Sequence, residues 1–161
     1  MSCRTLHLTQ VPDLLLSALQ LLAARVMATP PNEVIGRNGQ PYLQRWYVAR
    51  QRNAAIDNVY IHRFTSSDPG EDMHDHPWSS HGVVLRGWYG EHWIDDAGER
   101  HFDVRWPGEV IARRADTRHA ISSCQPGTVT LFMTGPKIRD WGFVTPDGWV
   151  HHQQYHQEHA A

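Results

Sequence analysis

The chain has 161 residues, 40% apolar and 20% charged, which is the make-up of one globular domain with a real core. A formal net charge of −2 gives no reason to expect nucleic acid or an anionic membrane as a partner. Cys3 and Cys124 lie far apart and make no disulfide framework, so a reducing, cytoplasmic compartment is the expectation.

Pro12-Asp13 can open a helix, because proline suits the first turn and a carboxylate favours the positive end of the dipole. Residues 14–27 carry a wide leucine face, with Asp13, Ser17, Gln20 and Arg25 loosely to one side. That face must pack on the outside of a barrel or on a second subunit, so a homodimer is open. Asp13, Gln20 and Arg25 interrupt or flank the apolar run 14–24, which therefore reads as a helix and not as a signal-peptide core. Nothing approaches the roughly 20 apolar residues of a membrane span. Thr29-Pro30-Pro31-Asn32 ends the helix.

Residues 36–41 (GRNGQP) read as a turn-rich arm. Alternation and β-branched or aromatic residues predict strands at 42–48, 59–64, 83–85, 88–94, 100–104, 110–114, 120–123 and 128–134. Such short strands, with a turn every eight to twelve residues, suggest a sandwich or jelly roll. Gly135-Pro136 and Asp147-Gly148 bracket a last segment with Trp141, Phe143 and Trp149, placed to cover one end. Residues 151–161 hold four histidines and read as a polar, disordered tail, not as the site.

The chemistry centres on GEDMHDHPWSSHGVVLRG, residues 70–87. In an extended strand residues two apart share a face, so His74 and His76 can grip one transition metal. Pro77 ends or bends the ladder, and Trp78 supplies an apolar wall. Such a pair gains weight only from a further ligand. His119 supplies it, in WPGEVIARRADTRHAI (106–121), after a Pro107-Gly108 turn and a strand-like run.

These two stretches resemble the two motifs of the cupin superfamily, a first with HxH between glycines and a second opening on Pro-Gly with a histidine about a dozen residues on. The resemblance covers roughly residues 46–149. It implies an all-β, cupin-type double-stranded jelly-roll barrel over 46–150, preceded by an N-terminal helix and arm over 1–45. The carboxylate usual in the first motif is missing. Counting back from Gly87 puts Ser80 in its place, and counting on from His76 puts His81 there. The implied ligand set is His74, His76 and His119, with His81 open as a fourth. Thiol dioxygenases resemble this set, since they too lack that glutamate and hold iron through three histidines.

Three neutral imidazoles leave a divalent ion its full charge and two or three open positions, which favours anionic chelating substrates. Fe(II) is the leading ion, with Zn, Ni and Mn as alternatives. The leading function is a non-haem Fe(II) dioxygenase of a small anionic substrate. The alternatives are a metal-dependent isomerase, epimerase or lyase, and a non-catalytic cupin that binds a small ligand. Arg86 is the candidate for holding a substrate carboxylate, against a plain strand-end charge. Trp78 and Trp88 are candidate pocket walls, against simple packing. At most one of Arg113 and Arg114 faces inward, and a solvated pair is expected. Glu91 or His92 is a candidate for orienting a ligand imidazole, with exposure as the expected outcome.

Overall fold

The computed structural model describes residues 9–37, 40–48, 52–68 and 72–158. The chain opens with β1 (Thr9–Gln10) and α1 (Asp13–Val26), followed by β2 (Glu33–Arg37), β3 (Gln40–Tyr47) and β4 (Asn58–Phe64). The HDH stretch gives only β5 (Met73–His74), as Pro77 cannot extend a ladder. Then come β6 (Ser80–Arg86), β7 (Tyr89–Ile94), β8 (Arg100–Arg105), β9 (Glu109–Arg113), β10 (Arg118–Cys124) and β11 (Val129–Thr134). The last elements are β12 (Gly142–Thr145), β13 (Gly148–His151) and α2 (His152–Glu158).

The strands form a seven-stranded sheet, β1-β9-β6-β11-β4-β3-β2, and a six-stranded sheet, β13-β12-β5-β10-β7-β8. This is a jelly roll of the cupin type, but the sheets do not close into a continuous barrel as expected. Each keeps its own edges, β1 and β2 in one and β13 and β8 in the other.

Alternate residues of a strand serve opposite faces, and here both faces are used. Trp46, Ile61, Val83, Leu85, Val129 and Leu131 form an outer layer with Ala23, against which Leu16, Leu19 and Val26 of α1 pack. Leu43, Phe64, Val84, Tyr89, Ile111 and Ile121 form the inner layer between the sheets. The helix is pinned by Gln20, whose Nε2 donates to the Leu85 carbonyl at 2.7 Å. Gly87, between β6 and β7, has φ 74° and lies so close to Thr128 that a Cβ would collide with its side chain.

Two further expectations change. The arm at 36–41 joins β2 and β3, which pair as an antiparallel hairpin, so the sheet begins before residue 46. Residues 38–39 of that turn lie outside the described residues, as do 1–8 with Cys3 and 69–71 in the loop before the HDH strand. The segment expected as a disordered tail folds instead. Tyr155 is buried, its ring stacks on Phe143 at 3.8 Å, and its hydroxyl donates to Asp72 Oδ2 at 2.8 Å. His152, Tyr155 and His156 share one helical face, which gives this polar stretch an aromatic side to dock. Among the described residues no helix is long and apolar enough to cross a membrane.

Candidate metal centre

His74 and His119 stand directly opposite each other in the β5–β10 ladder. His76 lies just past the end of β5, where its backbone N–H donates to the Ala115 carbonyl at 2.9 Å. The three rings present one nitrogen each within 4.8 Å of one another. Nε2 of His76 and Nε2 of His119 are 2.9 Å apart. Two nitrogens about 2.0–2.1 Å from one ion, at right angles to each other, would be about 2.9 Å apart, so this pair fits a shared divalent ion.

Asp75 sits between His74 and His76 and turns the other way. It is 3% exposed and accepts from Gly142 N at 2.7 Å, Arg139 Nη1 at 2.7 Å and Trp149 Nε1 at 3.0 Å. This hub anchors a two-residue strand too short to fix its own side chains. His76 is held from the side by Trp78, whose ring stacks on it at 4.5 Å.

Burial disfavours the charged form of all three imidazoles. It lowers His119 to about 3, helped by the charge of Arg113, holds His76 well below the usual range, and lowers His74. The rings are therefore neutral at pH 7, the state in which histidine binds a metal.

Behind His119 lies Glu91, 1% exposed. Its Oε1 accepts from Arg105 Nε at 2.8 Å and its Oε2 from Arg113 Nη2. Oε2 is also 3.4 Å from Nδ1 of His119, with no aligned hydrogen bond between them. Burial would raise the Glu91 pKa, but Arg113, His119 and Arg105 together hold it well below the usual carboxylate range. Glu91 is thus an ionised, buried group behind the His119 ring, where exposure was expected. Arg113 corrects the expected solvated pair. It points inward to Glu91 and the Tyr89 hydroxyl, while Arg114 points outward to Asp96 and Asp116.

The rings open onto a cavity of about 410 Å³. Its walls include Trp78, Trp141 and His156 with apolar Leu43, Phe64, Val84, Ile111 and Phe132, and its polar lining includes Arg45, His62 and Asp68. Asp68 was missed from sequence. It hangs in the loop after β4, and its Oδ2 accepts from Ile121 N at 2.8 Å.

The other candidates lie elsewhere. His81 is exposed on β6, on the outer face shared with Val83 and Leu85, and is not one of the converging rings. Arg86 is exposed at the end of β6, where Nη2 donates to the Gly127 carbonyl at 3.2 Å, and it does not line the cavity. Trp88 is outside the cavity lining as well and packs near Trp106, with ring centroids 6.3 Å apart. His92 is exposed and packs near Phe102.

No family model matches the chain. No curated protein matches it. Solved structures of cupin fold do. The chain is similar to oxalate decarboxylase (TM-score 0.51, 10% identity, 74% of this chain and 31% of that one). It is similar to HEPD of Streptomyces albus with 2-hydroxyethylphosphonate and Fe(II) bound (0.51, 14%, 68% and 24%). A third match is a mannose-6-phosphate isomerase-like protein of Ralstonia eutropha (0.50, 19%, 65% and 93%). The chain spans less than a third of the length of the first two, and identities this low establish the fold alone.

Proposed function

We propose that this chain is a metal-dependent enzyme that uses dioxygen to oxidise a small anionic substrate, with Fe(II) held by His74, His76 and His119. The observation that carries the proposal is the convergence of three neutral imidazoles, with no carboxylate among them, on a cavity of about 410 Å³. A divalent ion bound there supplies Lewis acidity and, as Fe(II), a common meeting point for dioxygen and substrate.

The chain's own residues do the rest. Glu91, braced by Arg105 and Arg113, orients the His119 ring. Asp75 locks the backbone between the other two ligands. Trp78 covers one face of His76 and keeps water from it. Arg45 and Arg113 line the cavity and put cationic groups on its wall, which suits an anion. The ligand set resembles that of thiol dioxygenases, and the half-buried free thiol of Cys124 suits a reducing, cytoplasmic setting.

A second reading, a metal-dependent isomerase, epimerase or lyase, draws support from Asp68. This carboxylate lines the cavity and is the kind of proton carrier such a reaction needs. The structural neighbours, which include an Fe(II)-bound protein, a decarboxylase and an isomerase-like protein, suit either chemistry.

Elemental analysis of tag-free protein, followed by oxygen uptake by the Fe(II)-loaded form with thiols, diketones and hydroxy acids, tests both. The expected result is one ion per chain and uptake with at least one class. Metal without uptake moves the assignment to the second reading. Absence of bound metal after loading overturns both.

A further inference from the structure

The outer face of α1 has no role in the metal site, and among the described residues nothing covers it. Leu14 is 85% exposed and Leu21 73%, and Leu15 and Leu22 are also exposed. At 3.6 residues per turn these four fall on one side with Ala18 and Arg25, opposite the buried face of Leu16, Leu19, Ala23 and Val26. Single exposed leucines are ordinary, but a contiguous patch of four on one helix marks an interaction surface.

The order of residues along that face selects the occupant. Read outward from Ala18, the helix is nearly a palindrome: Leu15 and Leu21 lie three residues either side, Leu14 and Leu22 four. An antiparallel two-fold axis at Ala18 sets Leu14 of one copy against Leu22 of the other and Leu15 against Leu21. It also brings Ala18 against itself, where the small side chain lets the helices approach closely. Charge agrees with this direction. Asp13 lies in the first turn and Arg25 in the last, and neither has an ion pair among the described residues. Antiparallel packing brings each arginine to the partner's aspartate end, whereas parallel packing would bring like charges together.

We infer that α1 is the two-fold interface of a homodimer, in which its outer leucine face packs antiparallel on the same face of a second copy and crosses it at Ala18. The adjoining turn is tied to the start of α1 by Val11 N–H donating to the Gly108 carbonyl at 2.9 Å, which fixes this helix end on the sheet. The interface lies on the outer side of the seven-stranded sheet and the metal centre on the inner side, so this inference stands apart from the metal reading.

Sedimentation of the full chain from about 1 to about 100 µM, the range in which a standard-size interface assembles, measures it directly. A dimer is expected, with Leu14→Glu/Leu21→Glu raising its dissociation constant at least ~10-fold while metal content and circular dichroism stay unchanged. In a Cys3→Ser/Cys124→Ser background, Ala18→Cys should form a disulfide-linked dimer on mild oxidation and Ser17→Cys should not. This second measurement stands even where the charged variant fails to fold. A chain monomeric throughout, a dimer indifferent to the leucine changes, absence of the Ala18→Cys crosslink, or a monomer that cosediments with anionic lipid vesicles overturns the inference.

Discussion

Replacing Glu91 with Gln removes one negative charge from a position that is 1% exposed and flanked by two arginine side chains only 6% and 7% exposed. The two arginines fare differently. Arg105 keeps Asp103, whose Oδ2 accepts from Nη2 at 2.8 Å, whereas among the described residues Arg113 keeps only the Tyr89 hydroxyl, to which it donates at 3.4 Å. The stranded charge is therefore Arg113. Removing one partner of a buried ion pair costs about 3–5 kcal/mol, and the amide oxygen of Gln remains as a neutral acceptor, which sets the expected loss near the lower end, about 3 kcal/mol. At roughly 2–4 °C per kcal/mol for a domain of this size, the melting temperature falls by about 6–12 °C. Urea unfolding and calorimetry at pH 7, both on metal-free protein so that ligand binding does not add stability, provide the readout. Glu91→Met/Arg113→Met should recover most of the loss, because no buried charge is left without a partner. A loss under about 1 kcal/mol in Glu91→Gln, or a double variant less stable than Glu91→Met alone, refutes the reasoning.

Three further outcomes are expected. His119→Ala abolishes stoichiometric metal in tag-free protein while His81→Ala retains it, and elemental analysis showing loss from His81→Ala would bring that residue back as a ligand. Asp75→Ala leaves the buried N–H of Gly142 without an acceptor, at about 1–3 kcal/mol, and removes the acceptor of the part-buried indole N–H of Trp149, so a stability loss of about 2 kcal/mol and lower metal occupancy are expected; an unchanged melting temperature would contradict the hub. His62, which accepts from Arg45 Nε at 2.9 Å, is held neutral by burial and then by the charge of Arg45. Its folded pKa lies below the ordinary value near 6.5, so below that pH the unfolded chain takes the extra proton and stability is lost as pH falls, by up to about 1.4 kcal/mol per pH unit. His62→Gln should lose less between pH 7 and pH 5.5 in urea titrations, and equal slopes in the two proteins would rule this out.

Strand positions and the His74–His76 pair were legible because both rest on local pattern, alternation bounded by turns and two histidines two apart, whereas His119 was reached through its interval from the Pro107-Gly108 turn. His81 was misjudged because it was placed by counting from neighbouring motifs. Its parity with Val83 and Leu85, the apolar residues that support α1, already put it on the other face. Glu91 was named as a candidate, but its burial was out of reach for a different reason. Its burial depends on Arg105 and Arg113, which arrive from β8 and β9, and pairing across strands is not written in any one of them. Barrel closure is likewise a property of sheet edges and not of strand count. The helical end of the chain was hidden by its polarity, since histidine scores as polar although its ring stacks like any aromatic: Trp141 packs on His152 at 4.6 Å.

The brevity of β5 has a consequence for biosynthesis. This two-residue strand is held from both sides by partners made much later: His119 follows His76 by 43 residues, and Gly142 follows Asp75 by 67. A ribosome delivering the chain in order therefore emits the first two imidazoles well before anything exists to aim them. Assembly of the centre belongs to the closing stage of folding, and an ion captured earlier would meet loose, unaligned side chains. The convergence of the three rings is thus a property of the finished molecule, acquired when the final strands click into place.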